Sequence, residues 1–289
     1  MVENGGYEIF NVDPLVLIRT LDAMPFPKMV ALVIGAVLFL SALIVFLTYL
    51  VRGKNAAPIP DSAALANDMN AAIFGLILAF LVVSMYDTNR RVEESISKEA
   101  NSLVAILQTS HCLDNAPEIK KSVQNYAQTV IKKEWPLMQA GKIEEVWALA
   151  PSLMSPVMEA VLHTTPMGTV QEHFFDKLPE MLRDLDSAHR SRLTQTEIHL
   201  PVQFWRVIVL MMILALWFLA YMNPWTGIGS MIPIVIPGIV IALSFSLLIS
   251  LHYPFLGPFS VSNKPFSLGE LQMEGVPMAL PKAAASASQ

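Results

Sequence analysis

Few side chains in this sequence could do covalent or metal chemistry. There is one cysteine, Cys112. A lone cysteine makes no intrachain disulfide, and no Cys/His grouping has zinc spacing. The six histidines, His111, His163, His173, His189, His199 and His252, are scattered and read as solvated or packed. No G-x-S-x-G, GxxxxGK[ST] or HExxH occurs, and no carboxylate pair stands at the edge of an apolar run. An enzyme, a cofactor and a metal site are therefore not expected. The remaining candidates are charges and short polar motifs. Asp87, Arg90 and Arg91 follow directly on an apolar run. In a ring of copies the arginines would concentrate anions; in a single copy they would anchor a span end. Glu99-x-Asn101 and Glu134-Trp135 read as packing and capping groups, and Pro254-Phe255-x-Gly257 as a structural elbow.

The apolar runs that must position these groups dominate the composition. Of 289 residues, 54% are hydrophobic and 15% charged, against about 25% charged in soluble domains. The net charge of −5 leaves no basic field for nucleic acid. Residues 1–27 carry Glu3, Glu8, Asp13 and Asp22 where a secretory signal needs basic residues, so the first span is expected to stay in the protein.

The chain is organised around Ala71 to Leu107. AAIFGLILAFLVVSMY runs into DTNRRVEESISKEANSLVAIL with no Gly or Pro between the halves. This predicts one helix that crosses a bilayer and continues about 30 Å beyond it. Four spans are predicted: residues 29–51, 70–86, 204–222 and 231–252. Asp13-Pro14 starts a short helix before the first, either interfacial or packed on the body, which Pro25 and Pro27 end. Residues 52–69 are read as an external loop with a short helix capped by Asp61 or Ser62, and 223–230 as an external turn. In the second span Ala71, Gly75 and Ala79 form a small-residue ridge that lets another helix approach. Ile73, Ile77, Phe80, Leu81 and Ser84 lie on the other side. Pro233 and Pro237 predict a kinked or unwound start to the fourth span.

Residues 87–203 form a polar region, predicted to be a helical bundle. Val92, Ile96, Ala100, Leu103 and Leu107 make one apolar stripe. A second helix follows Pro117, a third is interrupted by Pro151 and Pro156, and a long fourth runs from Val170 to Leu200. The tail from residue 253 is rich in Pro, Gly and aromatics and should fold back, with a disordered end. With four spans, both termini and residues 87–203 share one side. That side carries Arg19, Lys28, Arg90, Arg91, Lys98, Arg190, Arg192, Arg206 and Lys264, and the other Arg52 and Lys54. The asymmetry predicts a cytoplasmic bundle and cytoplasmic termini.

The spans contain no Asp, Glu, Lys, Arg or His apart from Arg206 and His252 at their edges, which argues against coupled transport. A hydrophobic constriction needs no intramembrane charge, so the Ile73/Ile77/Phe80/Leu81 face suits the neck of a pore, or else meets lipid or the first span. Four spans in one subunit are too few to enclose a path, so a pore requires a homo-oligomer. The alternative is a non-conducting scaffold or sensor whose cytosolic helices bind a partner.

One order of motifs is distinctive: Gly75 and Phe80 in an apolar span, Glu99-Ala100-Asn101, Glu134-Trp135-Pro136, Arg190 and Arg192-Leu193, Leu200-Pro201, Trp205, Pro254-Phe255-x-Gly257 and Pro265-Phe266. It resembles the bestrophin-like family of bacterial four-span membrane proteins over roughly residues 65–272. Bestrophins proper, a more distant likeness, are pentameric anion channels whose second span lines an apolar neck. The resemblance implies an inner-membrane homo-oligomer, of five subunits as in bestrophins, passing small anions. Its neck would be Ile73, Ile77 and Phe80 or Leu81. Two departures stand out. Only Glu270 and Glu274 follow the fourth span, so the acidic calcium clasp of animal bestrophins has no counterpart, and the bestrophin Arg and Trp residues past the second span are not matched one for one.

Overall fold

A computed structural model describes residues 14–52, 61–114, 116–196, 200–223 and 231–271. The expected loose stretch 1–12, the Asp13 cap, most of the loop after the first span, the turn at 224–230 and the disordered end lie outside the described residues. Those described are mostly helical, with no strand among them. Four helices are long and apolar enough to cross a membrane. The chain forms two compact units. One comprises residues 1–89 and 199–260; the other comprises 90–198 and 261–289.

The first unit holds α1 (Pro14–Asp22), α2 (Phe26–Arg52), the first part of α3 (Asp61–Ser110), α9 (Val202–Met222) and α10 (Ile232–Ser250). α1 ends before Pro25, but Pro27 lies inside the first turn of α2 rather than ending α1. A helix's first N–H groups have no internal partner, so proline costs nothing there. α10 stays helical from Ile232 through Pro237 and does not unwind. The adjacent Gly238 explains part of this. A Cβ at Gly238 would already touch Ser41 Oγ at 3.5 Å, so α2 packs directly on this turn and braces it. The span hydroxyls Ser41, Thr48, Ser244, Ser246 and Ser250 each donate to the carbonyl four residues back, which satisfies them within their own helices.

The 50 residues of α3 run unbroken from Asp61, so the segment read as a loop up to residue 69 is helical from there. Its length is about 75 Å at 1.5 Å per residue.

The second unit holds the rest of α3, α4 (Ala116–Thr129), α5 (Trp135–Gln139), α6 (Ile143–Leu162), α7 (Thr169–Phe175) and α8 (Leu178–Thr196). Three details differ from the sequence pattern. α6 is continuous through Pro151 and Pro156, which are exposed while Leu153, Met154 and Val157 are buried. Burial of that stripe outweighs the roughly 3 kcal/mol that an interior proline costs. The long fourth helix is two, α7 and α8, because Pro179 has no N–H to give to the carbonyl of Phe175. Between α4 and α5 a π-helical turn spans Val130–Glu134, with the Trp135 N–H donating to the Val130 carbonyl. Pro136 cannot donate to Lys132, and the wider turn absorbs that loss. Two short 3₁₀ turns, Lys264–Ser267 and Gly269–Leu271, complete the unit.

Candidate functional site

In the spanning part of α3, Phe74, Leu78, Leu81 and Met85 recur at intervals of four, three and four and are all buried. They join the core that α2, α9 and α10 form with Val33, Val37, Leu216 and Phe245. Leu81 therefore leaves the face on which the sequence pattern put it. It lies roughly 100° around the helix from Phe80, and its neighbours one turn away, Leu78 and Met85, both face the core. Ile73, Ile77 and Phe80 remain exposed, and Ser84 is half-buried. The sequence reading missed three companions. Met69, Ile73, Leu76, Phe80 and Val83, at intervals of four and three, make one continuous exposed apolar stripe. The same spacing continues into Asp87 and Arg90, which are exposed, as is Arg91. Arg90 Nε stands 3.6 Å from Glu94 Oε1 on the open surface.

Among the described residues, no helix packs onto the small ridge of Ala71, Gly75 and Ala79. A Cβ at Gly75 would meet nothing within 4 Å. The ridge opens onto an apolar cavity of about 750 Å³, walled by Phe74, Leu78 and Val82 of α3, Ala215 and Leu219 of α9, and Val240 and Ile241 of α10.

In the second unit the motif carboxylates come together. Arg192 of α8 is fully buried and grips Glu99 of α3 with both arms of its fork. Nε donates to Oε2 at 2.6 Å and Nη2 to Oε1 at 3.0 Å. Nη2 also donates to Glu134 Oε2 at 2.9 Å, and Nη1 to the sulfur of Met138 at 3.0 Å. The Tyr126 hydroxyl donates to Glu99 Oε1 at 2.7 Å, and His189 Nε2 is 2.8 Å from Glu134 Oε1. Phe266 closes the site, with Arg192 5.7 Å over its ring and Trp135 edge-on to it at 6.5 Å. The π-helical turn carries Glu134 into this cluster, since it buries both Val130 and Glu134.

The electrostatics follow from burial and pairing. Burial opposes the charge on Glu134, but Arg192 and the His189 hydrogen bond outweigh it and hold the carboxyl below its usual range. Burial would likewise lower Arg192, yet Glu99 and Glu134 more than reverse this, so the guanidinium stays charged. Burial, followed by the neighbouring Glu99 charge, pushes the Tyr126 hydroxyl well up. Arg192, Glu99 and Glu134 expose no side-chain surface. With every member buried, the cluster ties α3, the π-helical turn and α8 together.

The other motif residues part company. Asn101 is exposed and joins nothing in this cluster. Pro254 and Phe255 are buried in the first unit, and Gly257 turns the chain with φ 81°. Arg192 is the main correction. It was counted among the charges flanking the spans, but a buried guanidinium cannot serve as an anchor. Its removal leaves eight against two. Its signal was present: Leu185, His189, Arg192 and Thr196 follow intervals of four, three and four and are all buried. His189 lies on that same stripe, whereas Tyr126 and Met138 were not singled out in sequence, because their partner was unidentified.

Fold and sites together define a multi-pass membrane protein: four helices long and apolar enough to cross a membrane, and a helical unit knit by a buried ion cluster. The family is specific as well. The model of the Bestrophin-like domain matches residues 20–266, and the chain belongs to the bestrophin-like family. No curated protein and no solved structure matches it.

Proposed function

We propose that the chain assembles into a homo-oligomeric channel for small anions of the chloride type, a pentamer by analogy with bestrophins. The carrying observation is the α3 stripe. In a bestrophin-like protein, Met69, Ile73, Leu76, Phe80 and Val83 present a continuous, uncharged, exposed apolar face that leads into Asp87, Arg90 and Arg91. Ringed around an axis, Ile73, Ile77 and Phe80 form a neck that gates by dewetting. Leu81 supports the neck from behind, Ser84 lies at its base, and the arginines collect anions at the mouth. The Ala71/Gly75/Ala79 ridge and its cavity receive a helix of the neighbouring copy. The protein sits in a bacterial inner membrane, with both termini and residues 87–203 in the cytoplasm and lipid around the spans.

A second reading is favoured by one surface. Met158, Leu162, Met167 and Val170 are large, apolar and exposed in the second unit, as on a scaffold that docks a partner. The deciding experiment is the subunit count in mild detergent by native mass spectrometry, followed by chloride flux in liposomes. A closed ring whose flux changes in Ile77→Ala and Phe80→Ala supports the channel. A monomer or dimer without flux leaves the scaffold.

A further inference from the structure

Asp22 ends α1 and is fully buried, yet neither of its carboxylate oxygens has a hydrogen-bond partner. It packs on backbone. Gly257 holds φ +81°, and a Cβ there would overlap Asp22 Oδ1 and come within 3.0 Å of the Asp22 carbonyl oxygen. The carboxyl thus rests on the Cα of a glycine in the turn that follows α10, and no larger residue fits.

Every local feature disfavours its charged form. Burial removes water, no donor replaces it, and the C-terminal end of a helix is the negative end of the helix dipole. α1 packs against α2, α9 and α10. The charged or titratable groups at the near ends of those elements are Lys28 on α2 and Arg206 on α9, both exposed, and His252 just after α10. His252 is buried beside Trp205, ring centroids 5.4 Å apart. Arg19 lies one turn back on α1. None of the four donates to the Asp22 carboxylate. Burial raises this carboxyl from 3.8 to about 7.

We propose that Asp22 and Gly257 form a proton-operated latch holding α1 on the turn after α10, closed while the carboxyl is neutral and released as it ionises. The sign follows from linkage. The closed state has the raised value, so its stability is complete below the ordinary carboxylate range and is lost as pH rises through about 7. Across that window the ratio of closed to open falls by up to about a thousand-fold. The latch is independent of whether the chain conducts.

The test is hydrogen exchange of α1 in the full-length protein in lipid nanodiscs, between about pH 5 and pH 8 and corrected for intrinsic rates, with α9 as the internal reference. Protection of α1 should fall with pH by up to roughly a hundred-fold in the wild type, with α9 unchanged. It should stay high in Asp22→Asn and be low at both pH values in Gly257→Ala. The double variant Asp22→Ala/Gly257→Ala should regain part of that protection, since the overlap with the carboxylate is gone while the strain of alanine at φ +81° remains. Wild-type α1 protection that does not change with pH overturns the latch. So does the same pH dependence in Asp22→Asn, or wild-type protection in Gly257→Ala. If Asp22→Asn does not fold, the wild-type series and the Gly257 pair decide the matter.

Discussion

The two units bury carboxylates in opposite ways. In the second, Glu99 and Glu134 share a guanidinium, a phenol and an imidazole. In the first, Asp22 is buried with no hydrogen bond to its carboxylate. The difference teaches what each carboxylate does. A fully paired buried charge is hard to move, because breaking it strands its partners. An unpaired one is poised, because a single proton changes its cost of burial. Their pH responses should therefore run in opposite directions. Glu134 is held below its usual range, so its contribution is present above the ordinary carboxylate value and is lost as pH falls through the depressed one. Asp22 behaves the other way.

The largest break in this comparison is Arg192→Met, which leaves two buried carboxylates facing each other. Loss of about 3–5 kcal/mol is expected, read as a lower midpoint in thermal or denaturant unfolding. Adding Glu99→Gln and Glu134→Gln should recover part of that loss, since the cost lies in the stranded charge rather than in the missing bond. A recovery of nothing would mean that Arg192 acts by its volume.

Next comes the division of α3 into faces. Leu81→Ala should destabilise the first unit by about 2–5 kcal/mol, the range for a buried leucine. Phe80→Ala should stay within about 0.5 kcal/mol while changing chloride flux. If the two results were exchanged, the buried and exposed faces would be the reverse of those described. Acid titration of helicity sharpens the contrast between units. Glu134→Gln should flatten the acid limb of unfolding, whereas Asp22→Asn should leave that limb unchanged.

The smallest effect on folding is expected at Gly75→Leu. The new side chain enters open space in a single copy, so stability should move by no more than about 0.5 kcal/mol. The subunit count by native mass spectrometry should nevertheless drop, because the ridge would no longer admit a neighbouring helix.

How much was legible beforehand differs between the same two regions. The apolar face of α3 could be read from period and composition alone, and only Leu81, at its edge, moved. The ion cluster could not be read. Glu99 and Glu134 were marked as motif residues, but Arg192 is 93 and 58 positions away from them, and no local pattern pairs residues at such separations. Asp22 stood in the sequence only as one of the acidic residues before the first span, because the glycine turn that packs on it lies far along the chain.

Hydropathy and 3.6-residue periodicity established the helices, the four spans and the unbroken α3, because those properties depend on neighbours within a few turns. Proline placement was legible only in part: Pro179 split a helix, whereas Pro151, Pro156 and Pro237 did not, since packing outweighs a missing hydrogen bond where a stripe is well buried. Which charges are paired, which is left alone, and where Gly257 must be glycine were decided by tertiary structure. Desolvation and pairing act between residues far apart in sequence, and their balance exists only once the chain has brought them together.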